Sequence, residues 1–127
     1  MANTFKIKTN GAMPTSSGTP LTLYTGKTST TAVVLGLILC NVHTSAVTAS
    51  VKVSSDTTTT EGGVGDVAGT PVANTTTFVV KDVSIPAGAS LEVLTGSKLI
   101  LQTTDSLLID CSVADKVSAT LSVMQIT

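Results

Sequence analysis

Alternation of apolar and polar residues in residues 84–113 is the feature that most limits what this chain can fold into. Every second residue is apolar from 89 to 93 and from 107 to 113, while Pro86, Gly88 and Gly96 mark turns. Since successive side chains of a strand point to opposite faces, a period of two predicts strands with one buried face. This segment therefore predicts short antiparallel strands joined by turns, with no helix.

The composition extends this prediction to the whole chain of 127 residues. Thr, Ser and Val occur 24, 14 and 16 times, and Thr and Val favour strands over helices. Hydrophobic residues make up 42 %, which is enough for a core, and aromatic residues only 2 %, so we expect an aliphatic core. The residues predicted to share this core are Leu107, Ile109, Val113, Val117, Leu121 and Val123.

Charge and hydropathy argue against nucleic acid and membrane as partners. Charged residues make up 12 %, the net charge is −1, and the basic residues are scattered from Lys6 to Lys116. Nucleic-acid binding requires clustered Lys and Arg, which this chain lacks. The longest apolar run, 32–40, is far shorter than the roughly 20 residues of a transmembrane helix.

Short runs in which apolar and polar residues alternate recur about every ten residues along the chain and predict eight or nine short strands. We expect residues 1–127 to form a single antiparallel β-sandwich, immunoglobulin-like or jelly-roll-like. Residues 1–25 form either an N-terminal arm or the first strands, with the first strand ending at the turn pair Asn10-Gly11. Residues 54–74 are rich in Gly and Thr and are predicted to be a long loop.

The run 32–42 is apolar on both faces of the predicted strand. Strict alternation places Val33, Leu35, Leu37 and Leu39 on one face and Val34, Ile38 and Cys40 on the other. A sandwich buries only one face of each sheet, so the second face requires another cover. We therefore predict a protein interface formed by Val33, Leu35, Leu37 and Leu39, unless the N-terminal arm covers this face.

Cys40 and Cys111 are predicted to be free thiols. Both occupy apolar strand positions, and a bridge between the two sheets is the alternative. An immunoglobulin-type bridge is accompanied by a Trp and by a Tyr two residues before the second Cys, but the chain has no Trp, and Ile109 holds the Tyr position. The start of the chain also lacks the apolar segment of a secretion signal.

Residues that could carry chemistry are few and scattered. His43, the one histidine, is predicted to be a surface turn residue without a catalytic partner. Asp56, Glu61 and Asp66 lie near glycines in the long loop, but their pattern does not match a calcium-binding repeat. We therefore predict no catalytic residue, no cofactor and no metal site.

Several stretches resemble small virion structural proteins of tailed bacteriophages, particularly marine and cyanobacterial ones. They are I-P-A-G-A-S-L-E-V-L-T-G-S-K-L-I-L-Q-T-T-D-S-L-L-I, the end S-V-A-D-K-V-S-A-T-L-S-V-M-Q-I-T, the start M-A-N-T-F-K, and T-T-A-V-V-L-G-L-I-L-C-N-V. The resemblance covers most of the chain and consists of turn and strand patterns. It implies an immunoglobulin-like β-sandwich in an assembled particle, with no active site.

This resemblance implies a virion protein made in the host bacterial cytoplasm. The expected function is that of a capsid decoration or cement protein that binds the major capsid protein and forms a homo-oligomer. The alternatives are an accessory protein of the neck, tail or baseplate, and a fibre-type surface-binding module. Sugar sites usually present aromatic side chains, and Phe5, Tyr24 and Phe78 are too scattered to favour the last alternative.

Overall fold

The computed structural model confirms the predicted all-β sandwich. It describes residues 2–61, 67–94 and 96–127. These ranges contain no helix, and hence no helix that could cross a membrane. Their strands are β1 (Asn3–Met13), β2 (Leu21–Thr25), β3 (Thr31–Asn41), β4 (Val47–Ser54), β5 (Thr58–Thr59), β6 (Val72–Ala73), β7 (Thr77–Ile85), β8 (Ser90–Glu92), β9 (Leu99–Leu101), β10 (Ser106–Cys111) and β11 (Val117–Ile126).

Two antiparallel sheets form the sandwich. The first sheet has the order β1–β11–β3, and both β8 and β9 pair with the other edge of β3. The second sheet has the order β2–β10–β4–β7. The predicted loop 54–74 contains β5 and β6, which pair as a two-residue ribbon; residues 62–66 of this loop lie outside the described residues.

The core between the sheets is aliphatic, as the composition predicts. Five of the six predicted core residues are at most 1 % exposed, and Val113 packs against the core half-buried. The buried hydrophobic residues of the first sheet are Ala32, Val34, Leu37, Leu39, Leu101, Val117, Ala119, Leu121 and Val123, with Met13 at the end of β1. Those of the second sheet are Leu23, Val47, Ala49, Val51, Val53, Ile85, Leu107, Ile109 and Cys111.

A β-bulge interrupts β3 and reverses its alternation. Ser122 of β11 pairs with Gly36, whereas the next residue, Val123, pairs with Val34, which leaves Leu35 as the extra residue. A bulge places two residues opposite one and shifts the inward and outward positions beyond it by one residue. A glycine inside a strand commonly marks such a bulge, and a Cβ added at Gly36 would meet no atom within 4 Å.

Because of the bulge, the prediction that Val33, Leu35, Leu37 and Leu39 share one face of β3 is wrong. Leu37 and Leu39 are 1 % and 0 % exposed and belong to the core. Val33 and Leu35 point away from the core, since both precede the shift in alternation. Beyond the shift, Ile38 and Cys40 take the outward positions that strict alternation would give to Leu37 and Leu39.

The N-terminal segment forms strands and does not cover the outward side of β3. β1 pairs with β11 at the edge of the first sheet, and β2 belongs to the second sheet. The predicted end of the first strand at Asn10-Gly11 is also wrong. A register shift between Asn10 and Met13 lets β1 continue, and the Ala12 N–H donates to Asn10 Oδ1 (3.0 Å) within it.

Replacing Leu121 by Ala should lower the free energy of unfolding by about 2–5 kcal/mol, because the change removes buried methyl groups and leaves a cavity. Leu121 is 0 % exposed in the centre of β11. The matched control is Leu35→Ala, which truncates the same side chain at a position that is 39 % exposed. Urea unfolding measures both variants, and equal losses would contradict this register.

Candidate functional site

The outward face of the first sheet, defined as the side of this sheet that points away from the core, carries an apolar row. Ile100, Val33, Met124 and Phe5 are successive cross-strand partners on β9, β3, β11 and β1. Phe5 is 71 % exposed and Ile100 61 %, while Val33 and Met124 are half-buried. Cross-strand partners on one face lie about 5 Å apart, so these four side chains form a continuous strip.

A shallow hollow lies next to this row. It has a volume of about 220 Å³, and its lining includes Leu35, Gly36 and Ile38. Leu35 and Ile38 are 39 % and 41 % exposed, on either side of the bulge. Because Gly36 has no side chain, its place on the outward face stays open between two apolar side chains.

The outward face is large enough for a protein interface. Four strand positions spaced about 4.8 Å apart, over about ten residues of 3.3 Å rise, cover roughly 600 Å². This approaches the roughly 800 Å² that each partner buries in a standard interface. Glu92 of β8 is the charged residue that the strands of this sheet place on the face, because Lys6 and Lys8 pair with inward Val123 and Leu121.

The structure therefore assembles only part of the predicted interface. Val33 and Leu35 lie on the outward face, while Leu37 and Leu39 do not. The sequence alone did not assign the other large apolar residues of the outward face to an interface. These include Phe5, Ile7, Ile38, Ile100 and Met124. The alternation of Phe5 and Ile7 with Lys6 and Lys8 was a signal for β1, but only the register shows that β1 extends the face of β3.

The two cysteines occupy different sheets and different environments. Cys111 is 2 % exposed and faces the core from β10. Cys40 is half-buried on the outward face of β3, opposite Ser118 of β11. Both are free thiols in the structure.

His43 lies in the turn between β3 and β4, as predicted. Its backbone N–H donates to Asn41 Oδ1 (2.8 Å), and the Asn41 Nδ2 donates to the carbonyl oxygens of Ser45 (3.0 Å) and Ile85 (2.9 Å). Asn41 is 0 % exposed, so these bonds replace the water that burial removes. The buried amide thus fixes the turn and ties it to the end of β7.

Asp105 anchors the segment 54–74 to the sandwich. Its Oδ1 accepts hydrogen bonds from the hydroxyls of Ser55 (2.6 Å) and Thr57 (3.4 Å), and its Oδ2 accepts one from the Gln102 N–H (2.9 Å). The Asn74 Nδ2 in turn donates to the same two hydroxyls. Asp105 is 4 % exposed, so both ends of the ribbon depend on one buried carboxyl group.

The other candidate residues that the structure describes lie apart from one another. Within residues 2–61, 67–94 and 96–127, no three His, Cys, Asp or Glu side chains group closely enough to hold a metal ion. Asp56 and Glu61 are exposed, and Asp66 lies outside the described residues. Phe78 of β7 is 48 % exposed, and the Lys52 Nζ lies 4.9 Å from its ring centre.

We expect the two thiols to differ in reactivity. Under native conditions an alkylating reagent should modify Cys40 first, because Cys111 faces the core and becomes accessible only on opening of the fold. Two alkyl groups should be added in denaturant without reductant. Intact mass and peptide mapping measure both steps, and modification of Cys111 at the rate of Cys40 would contradict the placement.

Asp105→Asn should lower the free energy of unfolding by about 1–3 kcal/mol, because an amide nitrogen replaces one acceptor of a buried network. The control is Asp56→Asn, at an exposed position of the same segment, which should change stability by less than about 0.5 kcal/mol. Urea unfolding measures both, and limited proteolysis should cleave segment 54–74 faster in the Asp105 variant. Indistinguishable variants would show that the network does not anchor the ribbon.

Comparisons with known proteins do not assign this chain to a family. No protein-family model matches the chain, and no curated protein matches its sequence. Among solved structures, the chain is similar to a chain from Bacillus endospore appendages, described as a novel family of disulfide-linked pili. The match has 15 % identity and a TM-score of 0.46, and covers 99 % of this chain and 87 % of that one.

Proposed function

We propose that this protein is a non-enzymatic structural subunit of a bacteriophage virion. In this proposal it acts as a capsid decoration or cement protein and binds other virion subunits through the outward face. The observation that carries the proposal is the apolar row of Ile100, Val33, Met124 and Phe5 across four strands. The resemblance of the sequence to small phage virion proteins supports the same function.

Burial of this face would stabilise an assembly. Phe5, Ile7 and Ile100 are each more than 60 % exposed, although all three are large and apolar. Removing such a side chain from water contributes about 1.5–3 kcal/mol. Burial of several of them together would therefore offset part of the free-energy cost of association. Exposed apolar side chains that lie next to one another and are bordered by polar residues are typical of interaction sites.

Because the face carries little charge, we expect its binding to depend weakly on salt. Screening acts on interactions between charges, and Glu92 is the charged strand residue on this face. The alternation of Ser and Thr with apolar residues along β11 instead supplies short neutral side chains that pack closely against a partner. An apolar interface of this kind suits a subunit that remains on a particle through changes of ionic strength.

The position of the subunit on the particle follows from its copy number. A decoration protein that forms homo-oligomers on the capsid would be present in hundreds of copies, whereas a neck, tail or baseplate accessory would be present in about a dozen or fewer. A fibre-type module would be found at the tips of fibres. Single-particle imaging of virions separates these arrangements.

Replacing an outward residue with Asp should abolish retention on the particle without unfolding the protein. We expect this of Ile100→Asp and Leu35→Asp, which place a charge on the interface at positions that are 61 % and 39 % exposed. The matched control is Val67→Asp, at an apolar position that is 70 % exposed in segment 54–74. Leu37→Asp would not test the interface, since Leu37 is buried in the core.

Particles lacking the protein are incubated with each purified variant and washed at low and at high ionic strength. Gels then show the amount retained, and circular dichroism confirms that each variant is folded. The proposal requires that wild type and Val67→Asp remain bound in both washes. Release of the wild type by moderate salt, or normal retention of both outward variants, would contradict it.

A further inference from the structure

The free edge of β1 adjoins the outward face and exposes backbone groups as well as side chains. β1 is the first strand of its sheet and has eleven residues; among the described strands it pairs with β11 alone, along one edge. Met13 is its one buried residue among those described, so nearly the whole strand lies against solvent. A long exposed edge strand presents a row of backbone groups to which another strand can pair.

Hydrogen bonds at the chain ends show which residues of β1 present these groups. The Ala2 N–H donates to the Thr127 carbonyl (3.3 Å), and the Thr127 N–H donates to the Ala2 carbonyl (3.0 Å). In an antiparallel ladder such exchanging pairs alternate with non-bonded pairs. Even-numbered residues up to Asn10 therefore bond to β11, while Phe5, Ile7 and Thr9 direct their N–H and C=O groups to the free edge.

The two sides of this edge differ in chemistry. Phe5 and Ile7 continue the outward face, and Lys6 and Lys8 project to the opposite side, in register with Val123 and Leu121. On that side a cleft of about 530 Å³ between β1 and β2 is lined by Lys8 and Lys27. Its other lining residues are Thr22, Leu23, Tyr24, Thr25 and Gln125, so the described lining contains no carboxylate.

We propose that the β1 edge binds an extended segment of a different protein, in which two acidic residues two positions apart alternate with apolar residues. The acidic side chains of such a strand lie opposite Lys6 and Lys8, over the lysine-lined cleft. Its apolar side chains lie beside Phe5 and Ile7 and widen the outward face. Backbone hydrogen bonds to Phe5, Ile7 and Thr9 hold the strand, and the charge pairs select its register.

The chemistry of the edge argues against a second copy of this chain as the occupant. Antiparallel pairing of two β1 strands about Lys6, Ile7 or Lys8 places lysine opposite lysine, which is unfavourable. Registers about Phe5 or Thr9 avoid this contact but leave both lysines without an acidic partner. No other segment of the chain supplies the required pattern, since none of its eight acidic residues lies two positions from another. The matching strand therefore belongs to another protein.

This inference does not depend on the proposed virion function. Because the edge carries lysines, peptide binding there should weaken as the salt concentration rises, whereas binding to the outward face should depend only weakly on salt. Failure of the peptide experiment below leaves the outward face untouched. Failure of the particle experiment likewise leaves the edge untouched.

The probe is a synthetic peptide containing Val-Glu-Val-Glu-Val, which reads the same in both directions and so serves parallel or antiparallel pairing. The control peptide has Lys in place of Glu. Each is titrated into the isotope-labelled protein and followed by amide chemical shifts. We expect the Glu peptide to shift β1 amides, to slow hydrogen exchange at Phe5, Ile7 and Thr9, and to bind about tenfold more tightly than the Lys peptide.

Two pairs of variants separate backbone pairing from charge. Ile7→Pro and Ile7→Ala both remove the isoleucine side chain, but only Pro also removes the free N–H, so Pro should bind the Glu peptide about fivefold more weakly than Ala. The double change Lys6→Glu and Lys8→Glu should reverse the preference and favour the Lys peptide. Lys98→Glu, which lies outside β1, is the charge control and should bind as wild type does.

Melting temperatures first confirm that all variants are folded. The absence of β1 shifts at millimolar Glu peptide would overturn the proposal. Equal binding of the two peptides would overturn the acidic specificity on which it rests. Equal binding by the Pro and Ala variants would overturn strand addition.

Discussion

The antiparallel ladder between β3 and β11 is the contact on which the rest of this structure depends. It pairs residues from Thr31 to Asn41 with residues from Ile126 to Val117, and both strands are also paired along their other edge. Inward side chains from this ladder supply much of the core against the second sheet. The bulge at Gly36 decides which apolar side chains of β3 join that core and which remain on the outside.

Buried polar groups complete the sandwich at both of its ends. Asn41 ties the turn after β3 to β7, and Asp105 ties segment 54–74 to the turn before β10. Asn41 bonds to backbone groups of Ser45, Ile85 and His43. Asp105 bonds to two hydroxyls and to the backbone N–H of Gln102. A buried polar atom without a hydrogen-bond partner would lower the stability of the fold, and each of these two side chains therefore has several partners.

The first sheet presents two surfaces with different physical properties. Its outward face combines an apolar row with short neutral Ser and Thr side chains of β11 and is nearly uncharged, so binding there would gain mainly from removal of water. The edge of β1 offers backbone groups and lysines, so binding there would gain from hydrogen bonds and charge pairs and would be selective for sequence. Phe5 and Ile7 belong to both surfaces, since their side chains lie on the face and their backbone groups lie at the edge. A partner that occupied both would therefore bury one continuous surface.

The sequence predicted that β3 carries apolar residues on its outward side, but it did not predict which residues of other strands lie beside them. An excess of apolar residues in 32–42 correctly indicated that β3 has apolar residues on both of its faces. Phe5, Ile100 and Met124 are far from β3 in sequence, and nothing in their local pattern relates them to Val33. Their shared row follows from strand order and register, which are set by pairing between distant segments.

The sequence by itself determined the class of the fold, because alternation and strand propensity act locally and need no knowledge of partners. It also determined most of the core, since Leu107, Ile109, Leu121 and Val123 lie in uninterrupted strands where alternation holds. Only the tertiary structure decided the faces of β3. A bulge adds one residue to a strand and reverses every position beyond it, and Gly36 signals this possibility without showing where Leu37 and Leu39 will point.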